Sequence, residues 1–334
     1  MSVNRLILSL TMGDPGSIGP EIVVRTVSNW NFEAVPVVIG DKKVLEWAQA
    51  ITHCSISWQS FDEPVSHDGP YLIDLNNVDE LSLQWGKITA HSGQCSFEYI
   101  QKAIELALSG RVHAVVTTPI SKEALHMAGV PYIGHTEILK DLTHSTDALT
   151  MFQVNQLRVF FLTRHLSLAE AVKAVKKDTI GSFLLKMDRY LKAIGIPHAK
   201  IAVAALNPHG GENGLLGREE IEEIDPAVDQ ARSVGVDVAG IYPADSIFWF
   251  AHQGRFDAVL SLYHDQGHIA TKCIDFYGTV SVTLGLPFIR TSPDHGTAFD
   301  IAGQGIANPR SMLESCRWAA EYALAYREYI KGRD

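Results

Sequence analysis

The stretch Arg5-Leu6-Ile7-Leu8-Ser9-Leu10-Thr11, closed by Gly13-Asp14-Pro15-Gly16-Ser17 and followed by a helical pattern from Ile18 to Ser28, decides the fold class. A short apolar run that ends in a Gly-rich turn and opens a helix is the repeating unit of a sheet covered on both faces. The unit recurs. Val35 to Ile39 is a continuous apolar strand before a helix at Lys42 to Ala50, and Val112 to Val116 follows a helical stretch, Ser92 to Ser109, that Gly110 stops. Tyr71 to Leu75, Leu149 to Val154, Val159 to Leu162, Ala199 to Ala205, Val236 to Ile241, Ala258 to Leu262 and Thr279 to Thr283 read as further strands. Leu168 to Lys176, Thr179 to Ile194, Arg218 to Ser233, Asp245 to His252 and Ser311 to Lys331 read as helices, with Asp225-Pro226 restarting the third. This alternation predicts an α/β protein.

The 334 residues, at roughly 150 per domain, predict two domains, or one large α/β unit with an extension. No repeat or linker marks a boundary, so the chain is expected to cross between domains more than once and to leave a cleft between them. Lys+Arg 28 against Asp+Glu 38 gives a net charge of −10, which argues against general nucleic-acid binding. No apolar run approaches the ~20 residues a bilayer span needs. The N-terminal run is cut by Gly13-Asp14-Pro15, too early for a signal peptide. Cys54, Cys95, Cys273 and Cys316 form no Cys-x-x-Cys pair, and reduced thiols in a cytoplasm are expected.

Three stretches place a histidine after a strand: Leu162-Thr163-Arg164-His165, Asn207-Pro208-His209-Gly210-Gly211-Glu212, and Tyr263-His264-Asp265-Gln266-Gly267-His268. Ligands of open α/β sheets collect at the carboxyl ends of strands. Three imidazoles from three loops can hold one divalent ion, such as zinc, and leave a position open for substrate. The same residues also read as separate loop histidines making hydrogen bonds.

A second group is cationic. Lys272 follows the His264 stretch, Arg290 follows a strand-like run from Val282 to Ile289, and His135-Thr136-Glu137 opens a helix after Gly134. Helix N-termini with Arg or Lys suit a substrate carrying a carboxylate and a phosphate; ordinary surface cations are the alternative. A third group is Asp294-His295-Gly296-Thr297-Ala298-Phe299-Asp300 through Ala307-Asn308-Pro309. It is not the Gly-x-Gly-x-x-Gly of a Rossmann fold, but an acid such as Asp300 can accept from both ribose hydroxyls of an adenosine and repel a 2′-phosphate. The alternative is a plain loop capping a helix. Gly13 to Glu21 reads first as a structural turn and second as part of the site.

Six motifs in order carry a family resemblance over essentially the whole chain. They are Gly13-Asp14-Pro15 with Ile18-Gly19-Pro20-Glu21, Thr118-Pro119-Ile120-Ser121-Lys122, Gly134-His135-Thr136-Glu137, Asn207 to Glu212, His264-Asp265-Gln266-Gly267, and Thr283-Leu284-Gly285-Leu286-Pro287 to Arg290-Thr291-Ser292. Together they resemble the 4-hydroxythreonine-4-phosphate dehydrogenase family of vitamin B6 synthesis. The His295 to Pro309 segment is similar to the adenosine loop of isocitrate and isopropylmalate dehydrogenases.

The resemblance implies an isocitrate/isopropylmalate dehydrogenase-like fold with two α/β domains around a central cleft. The cofactor-side domain is expected over about 1–130 plus 285–334, and the metal- and dimer-side domain over about 131–284. It implies a homodimer with the active site at the interface, and a divalent metal (zinc, magnesium or cobalt) on His165, His209 and His264, one of them from the partner. It implies substrate contacts from His135, Thr136, Lys272, Ser281 and Arg290, and NAD held by His295, Gly296, Thr297, Asp300 and Asn308. Asp245, Asp265 and Lys272 are the candidates for proton transfer or support, with a helix N-cap as the plainer role for Asp245.

The implied reaction is oxidation and decarboxylation of a phosphorylated C4 3-hydroxy acid. Gly16-Ser17 in the first loop and Ser281 depart from the family pattern, and His264 through Lys272 with Phe299-Asp300-Ile301 is more similar to the branch acting on 4-phospho-D-threonate or 4-phospho-D-erythronate. A terephthalate dihydrodiol dehydrogenase is a more distant alternative. A non-catalytic metal-binding protein is the rival of a different class. A phosphotransfer enzyme lacks its Lys-terminated Gly-rich loop.

Overall fold

Continuous apolar strands alternating with capped helices build two α/β units. A computed structural model describes residues 5–61, 65, 68–79, 81 and 83–332. Unit 1 comprises Met1–Leu149 and Val280–Asp334, and unit 2 Thr150–Thr279. The crossings fall at 149/150 and 279/280 rather than near 130 and 285, because Ile138 and Leu139 bury the helix after Gly134 in unit 1.

Unit 1 begins with β1 (Ile7–Thr11), α1 (Gly19–Ser28), β2 (Val35–Gly40), α2 (Lys42–Thr52), β3 (Gln59–Ser60), β4 (Tyr71–Asp74), α3 (Ala90–Leu108), β5 (Ala114–Thr117), α4 (Lys122–Met127) and α5 (His135–Leu142). Unit 2 takes β6 (Leu149–Val154), β7 (Leu157–Phe161), α6 (Leu168–Ala174), α7 (Lys177–Ala193), β8 (Ile201–Ala204), a π-helical turn at Glu220–Ile224, α8 (Asp225–Ser233), β9 (Val238–Tyr242), α9 (Ala244–His252), β10 (Ala258–Ser261) and α10 (His264–Ile274). The chain returns to unit 1 with β11 (Val280–Leu284), β12 (Ile289–Pro293) and α11 (Arg310–Lys331).

In unit 1 the strand order is β3-β4-β2-β1-β5-β12-β11, parallel except for the antiparallel β11–β12 pair. Every residue of β2 and β5 is buried, as a sheet covered on both faces requires. Side-chain caps start the helices where the sequence provides them: Asp41 for α2, Thr89 for α3 and Ser121 for α4. The apolar run Val282 to Ile289 is not one strand. Gly285 (φ 93°) and Pro287 turn it, so Arg290 lies on β12 opposite Thr283 of β11.

In unit 2 the order is β6-β7-β10-β8-β9, antiparallel at β6–β7 and parallel beyond. Its core packs Phe152, Leu157, Phe161, Ile247, Phe248 and Phe256. The helix restarts at Asp225 with Pro226 in its first turn, as the sequence suggests, but the segment leading into it, Glu220–Ile224, is a π turn and not α-helix. One expectation from the sequence does not hold in this unit. The stretch from His264 is not a loop but the first turns of α10.

Among the described residues no helix is long and apolar enough to cross a membrane.

The turn after β1 carries a pH signature. Asp14 is fully buried; its Oδ1 accepts from Gly16 N at 2.9 Å, and its Oδ2 has no hydrogen-bond partner among the described residues. Burial raises its carboxyl from 3.8 to about 6. The folded carboxyl therefore holds its proton more tightly than the unfolded one. This stability is fully present at low pH and is lost as the pH rises through about 6. Asp14→Asn is expected to gain stability against the unmodified chain by roughly 1 kcal/mol on moving from about pH 5 to about pH 8, read by urea denaturation. A difference that does not change with pH contradicts it.

Candidate active site

The site residues of unit 2 are set by two adjacent parallel strands. β7 and β10 pair in register, and Leu162 N donates to Ser261 O at 2.8 Å, so both strands release their histidines at the same edge. The rings of His165 and His264 stand 6.1 Å apart, centre to centre. Thr163, Arg164, Tyr263 and Asp265 join them around a pocket of about 320 Å³.

The His264-Asp265-Gln266-Gly267 motif is a positioning device. His264 Nδ1 lies 2.7 Å from Asp265 Oδ1; with its proton there, Nε2 is the ring nitrogen left with a lone pair. Buried Gln266 accepts from Leu262 N at 2.7 Å and donates to Ala205 O at 2.8 Å, tying the start of α10 to the ends of β10 and β8. A Cβ on Gly267 would lie 2.6 Å from the Phe161 ring, so only glycine lets α10 sit this close to β7. One turn on, His268 stacks on Phe161 with ring centres 4.6 Å apart and lies 4.1 Å from the His264 ring. Burial, with His264 and Lys272 nearby, pulls its pKa down to about 4, so near neutral pH it is an uncharged aromatic wall. In the sequence, Gln266 and His268 stand out only as neighbours of His264, and neither carries a role of its own.

His209 is presented differently. From His209 to Asn213 five successive residues have positive φ (55°, 72°, 79°, 45° and 54°), a left-handed turn. His209 is exposed, with Nδ1 4.0 Å from Glu212 Oε1. Among the described residues no three His, Cys, Asp or Glu side chains are gathered into one metal-holding group. His165 and His264 are thus neighbours, while His209 stands on its own turn. Two imidazoles that bind one ion at about 2.1 Å place their ring centres roughly 5–6 Å apart. The His165–His264 spacing of 6.1 Å lies just beyond that range, so the two rings stand near the separation that a shared divalent ion sets.

Of the cationic candidates in unit 1, Arg290 stands apart. It is buried, not a surface cation. Its Nε and Nη2 donate to Thr117 Oγ1 at 3.0 and 2.6 Å, and Nη1 to Thr283 Oγ1 at 3.3 Å. Its partners are hydroxyls, and no carboxylate among the described residues neutralises it. Burial lowers its pKa to about 10, which leaves it charged near neutral pH. His135 opens α5; burial first, then Arg290, hold its imidazole well below the usual range, and its Nε2 is sealed from solvent without a partner among the described residues. Thr136 follows it on α5, and Ser281 is buried on β11 opposite Ser292. An uncompensated buried cation is destabilising by several kcal/mol unless an anion joins it.

The loop from His295 to Asn308 is held by the first motif. Fully buried Glu21 accepts from Gly303 N at 2.7 Å and Ala307 N at 3.4 Å, Arg25 donates to Gly305 O, and Ile18 N donates to Thr297 O at 3.2 Å. Gly13 to Glu21 is therefore the scaffold of this loop, which the sequence alone leaves undecided. Asp300 and Gly296 are exposed on it, His295 Nδ1 lies 3.0 Å from Gly296 O, and Asn308 Oδ1 accepts from Arg310 N. An exposed carboxylate on a braced loop fits a ribose ligand.

The remaining candidates are dispersed in unit 2. Asp245 is an exposed first-turn residue of α9 and not its N-cap, which is Pro243. Lys272 lies in the last turn of α10, its Nζ 5.2 Å from the Phe276 ring centre.

Relatives place this geometry in a class. A 4-hydroxythreonine-4-phosphate dehydrogenase of Klebsiella pneumoniae superposes with a TM-score of 0.86 at 41% identity, covering 95% of this chain and 99% of that one. One from Burkholderia phymatum gives 0.83 at 40%, covering 96% and 99%. A protein of Symbiobacterium thermophilum provisionally named a D-threonate 4-phosphate dehydrogenase is 51% identical over 329 residues, 97% of this chain and 98% of the relative. The chain is an α/β oxidoreductase of the dehydrogenase kind, which sets aside the non-catalytic metal-binding reading. It belongs to the family described as "Pyridoxal phosphate biosynthetic protein PdxA", whose pattern matches residues 33–319.

Replacing Arg290 by Met removes the buried charge and keeps most of the volume. Arg290→Met is expected to raise the unfolding free energy in guanidinium by roughly 1–3 kcal/mol. A loss of stability of that size would show that the guanidinium is already compensated within the fold.

Proposed function

We propose that this dehydrogenase uses NAD and a divalent ion to oxidise the C3 alcohol of a phosphorylated four-carbon 3-hydroxy acid and then releases the carboxyl group as CO₂. The observation that carries the reading is Arg290, a buried guanidinium whose hydrogen-bond partners are hydroxyls. A phosphate accepts two parallel N–H bonds from such a fork and supplies the missing charge. His135, kept neutral by burial and Arg290, offers Nε2 as a further contact to the phosphate.

In the oxidation, the C3–H leaves as hydride to the nicotinamide and the hydroxyl proton goes to a base, giving a 3-keto acid. The bond to the carboxyl then breaks, CO₂ departs, and the electron pair left on C2 takes a proton. When bound at His165, His209 and His264, a divalent ion supplies charge stabilisation for oxyanions, and NAD supplies the hydride acceptor. Asp265 keeps the His264 ring in place through Nδ1, and His268 and Phe161 form an apolar wall beside it. Lys272 is assigned proton delivery. Asp300 accepts from the ribose and disfavours a 2′-phosphate.

The 51% identity to the S. thermophilum relative favours 4-phospho-D-threonate over 4-hydroxythreonine 4-phosphate. Large exposed apolar side chains in unit 2, among them Leu215 (82%), Trp249 (62%) and Ile269 (62%), support a homodimer.

The test is a panel of 4-phospho-D-threonate, 4-phospho-D-erythronate and 4-hydroxythreonine 4-phosphate with NAD or NADP, read as absorbance of the reduced cofactor. Turnover of at least one compound is expected, with NAD preferred by about tenfold or more through Asp300. Removing the metal with a chelator is expected to abolish turnover, and adding zinc, cobalt or magnesium to restore it. Silence on all three compounds, or equal use of both cofactors, overturns the corresponding part.

A further inference from the structure

The left-handed turn that carries His209 needs something to hold it. Three of its positive-φ residues, His209, Glu212 and Asn213, are not glycine, and such backbone is strained unless its surroundings over-determine it. The pattern of buried groups identifies the restraint. Glu220 is 3% exposed, although it sits in the acidic run Glu219-Glu220-Ile221-Glu222-Glu223. Its Oε1 accepts from Leu206 N at 2.9 Å and Asn207 N at 2.8 Å, and its Oε2 from Asn207 Nδ2 at 2.9 Å. Asn207 Nδ2 also donates to Glu219 Oε2 at 2.7 Å, so two carboxylates grip one amide at the entrance of the turn.

The glycines fit around this grip. A Cβ on Gly211 would meet Glu220 Oε2 at 2.8 Å, and one on Gly217 would meet the Asn207 amide at 2.4 Å. Glu220 also opens the π turn before α8. Such π turns recur where a helix must redirect a side chain toward a site.

We infer that Glu220 is a positioning residue that fixes the left-handed turn and thereby sets where His209 is presented. Its carboxylate takes two main-chain N–H groups and one amide, a role an acceptor-only group fills and an amide cannot. Its consequence for metal binding rests on the reading of His209 as a ligand.

Four chains are compared: the unmodified protein, Glu220→Gln, Asn207→Ala and His209→Ala. Amide hydrogen exchange is followed over residues 205–217, with 150–161 as internal reference, and Co²⁺ affinity is measured by calorimetry on each folded chain. Glu220→Gln sets an NH₂ group against Asn207 Nδ2. It is expected to speed exchange in 205–217 several-fold without changing 150–161, and to weaken Co²⁺ binding about tenfold or more. Asn207→Ala, which removes one of Glu220's three bonds together with the bond to Glu219, is expected to give a smaller change in the same direction, and it carries the test if Glu220→Gln does not fold. His209→Ala is expected to weaken Co²⁺ binding without changing exchange. Unchanged exchange in Glu220→Gln, or in Asn207→Ala where that chain carries the test, overturns the inference. If His209→Ala keeps full Co²⁺ affinity, the ligand reading fails instead, and the exchange result still decides whether Glu220 holds the turn.

Discussion

A guanidinium buried in the middle of a sheet is the constraint around which unit 1 is organised. Arg290 reaches β12 only because the chain turns back at Gly285 and Pro287, and it finds hydroxyls of Thr117 and Thr283 on the flanking strands instead of a carboxylate. A carboxylate there would have made the fold more comfortable and the cation unavailable. Leaving the charge uncompensated keeps affinity for an incoming anion at the expense of stability. The His135 ring, its Nε2 sealed from solvent, is held uncharged by burial and by Arg290.

Unit 2 solves a different problem, that of presenting imidazoles at fixed positions. Adjacent parallel strands bring His165 and His264 to one edge. Within the motif around His264 the roles are separate, since Asp265 orients the ring, Gln266 anchors the helix start and Gly267 permits close packing. His209 is held by strained backbone and a buried carboxylate instead. In unit 1, Glu21 and Arg25 do for the loop bearing Asp300 what Glu220 does for the turn bearing His209. Both loops are braced by a buried carboxylate from a neighbouring element.

Much of this is legible in the sequence because burial on both faces writes strands as unbroken apolar runs. Val35 to Ile39 and Ala258 to Leu262 are readable for that reason, and the observed bounds differ by a residue. The α10 start reads as a loop because His264, Gly267 and His268 suggest a turn; the glycine is there for Phe161, a contact no local pattern reveals. The β11–β12 turn is hidden inside an apolar run. Glu220 lies in an acidic run that resembles a solvated helix face, and Glu21 looks like an ordinary first-turn acid. Their partners are 13 to 14 and 282 to 286 residues away, beyond the reach of local patterning.

The fold keeps a buried guanidinium whose partners are hydroxyls, and the function proposed for the chain stands on that charge. Calorimetric titration of the unmodified protein with inorganic phosphate, near neutral pH and at low ionic strength, tests it most directly. The expected result is saturable binding at one site per chain, competed by the phosphorylated hydroxy acids and lost without the Arg290 side chain. A titration without heat up to tens of millimolar phosphate, or binding that survives loss of that side chain, would contradict it.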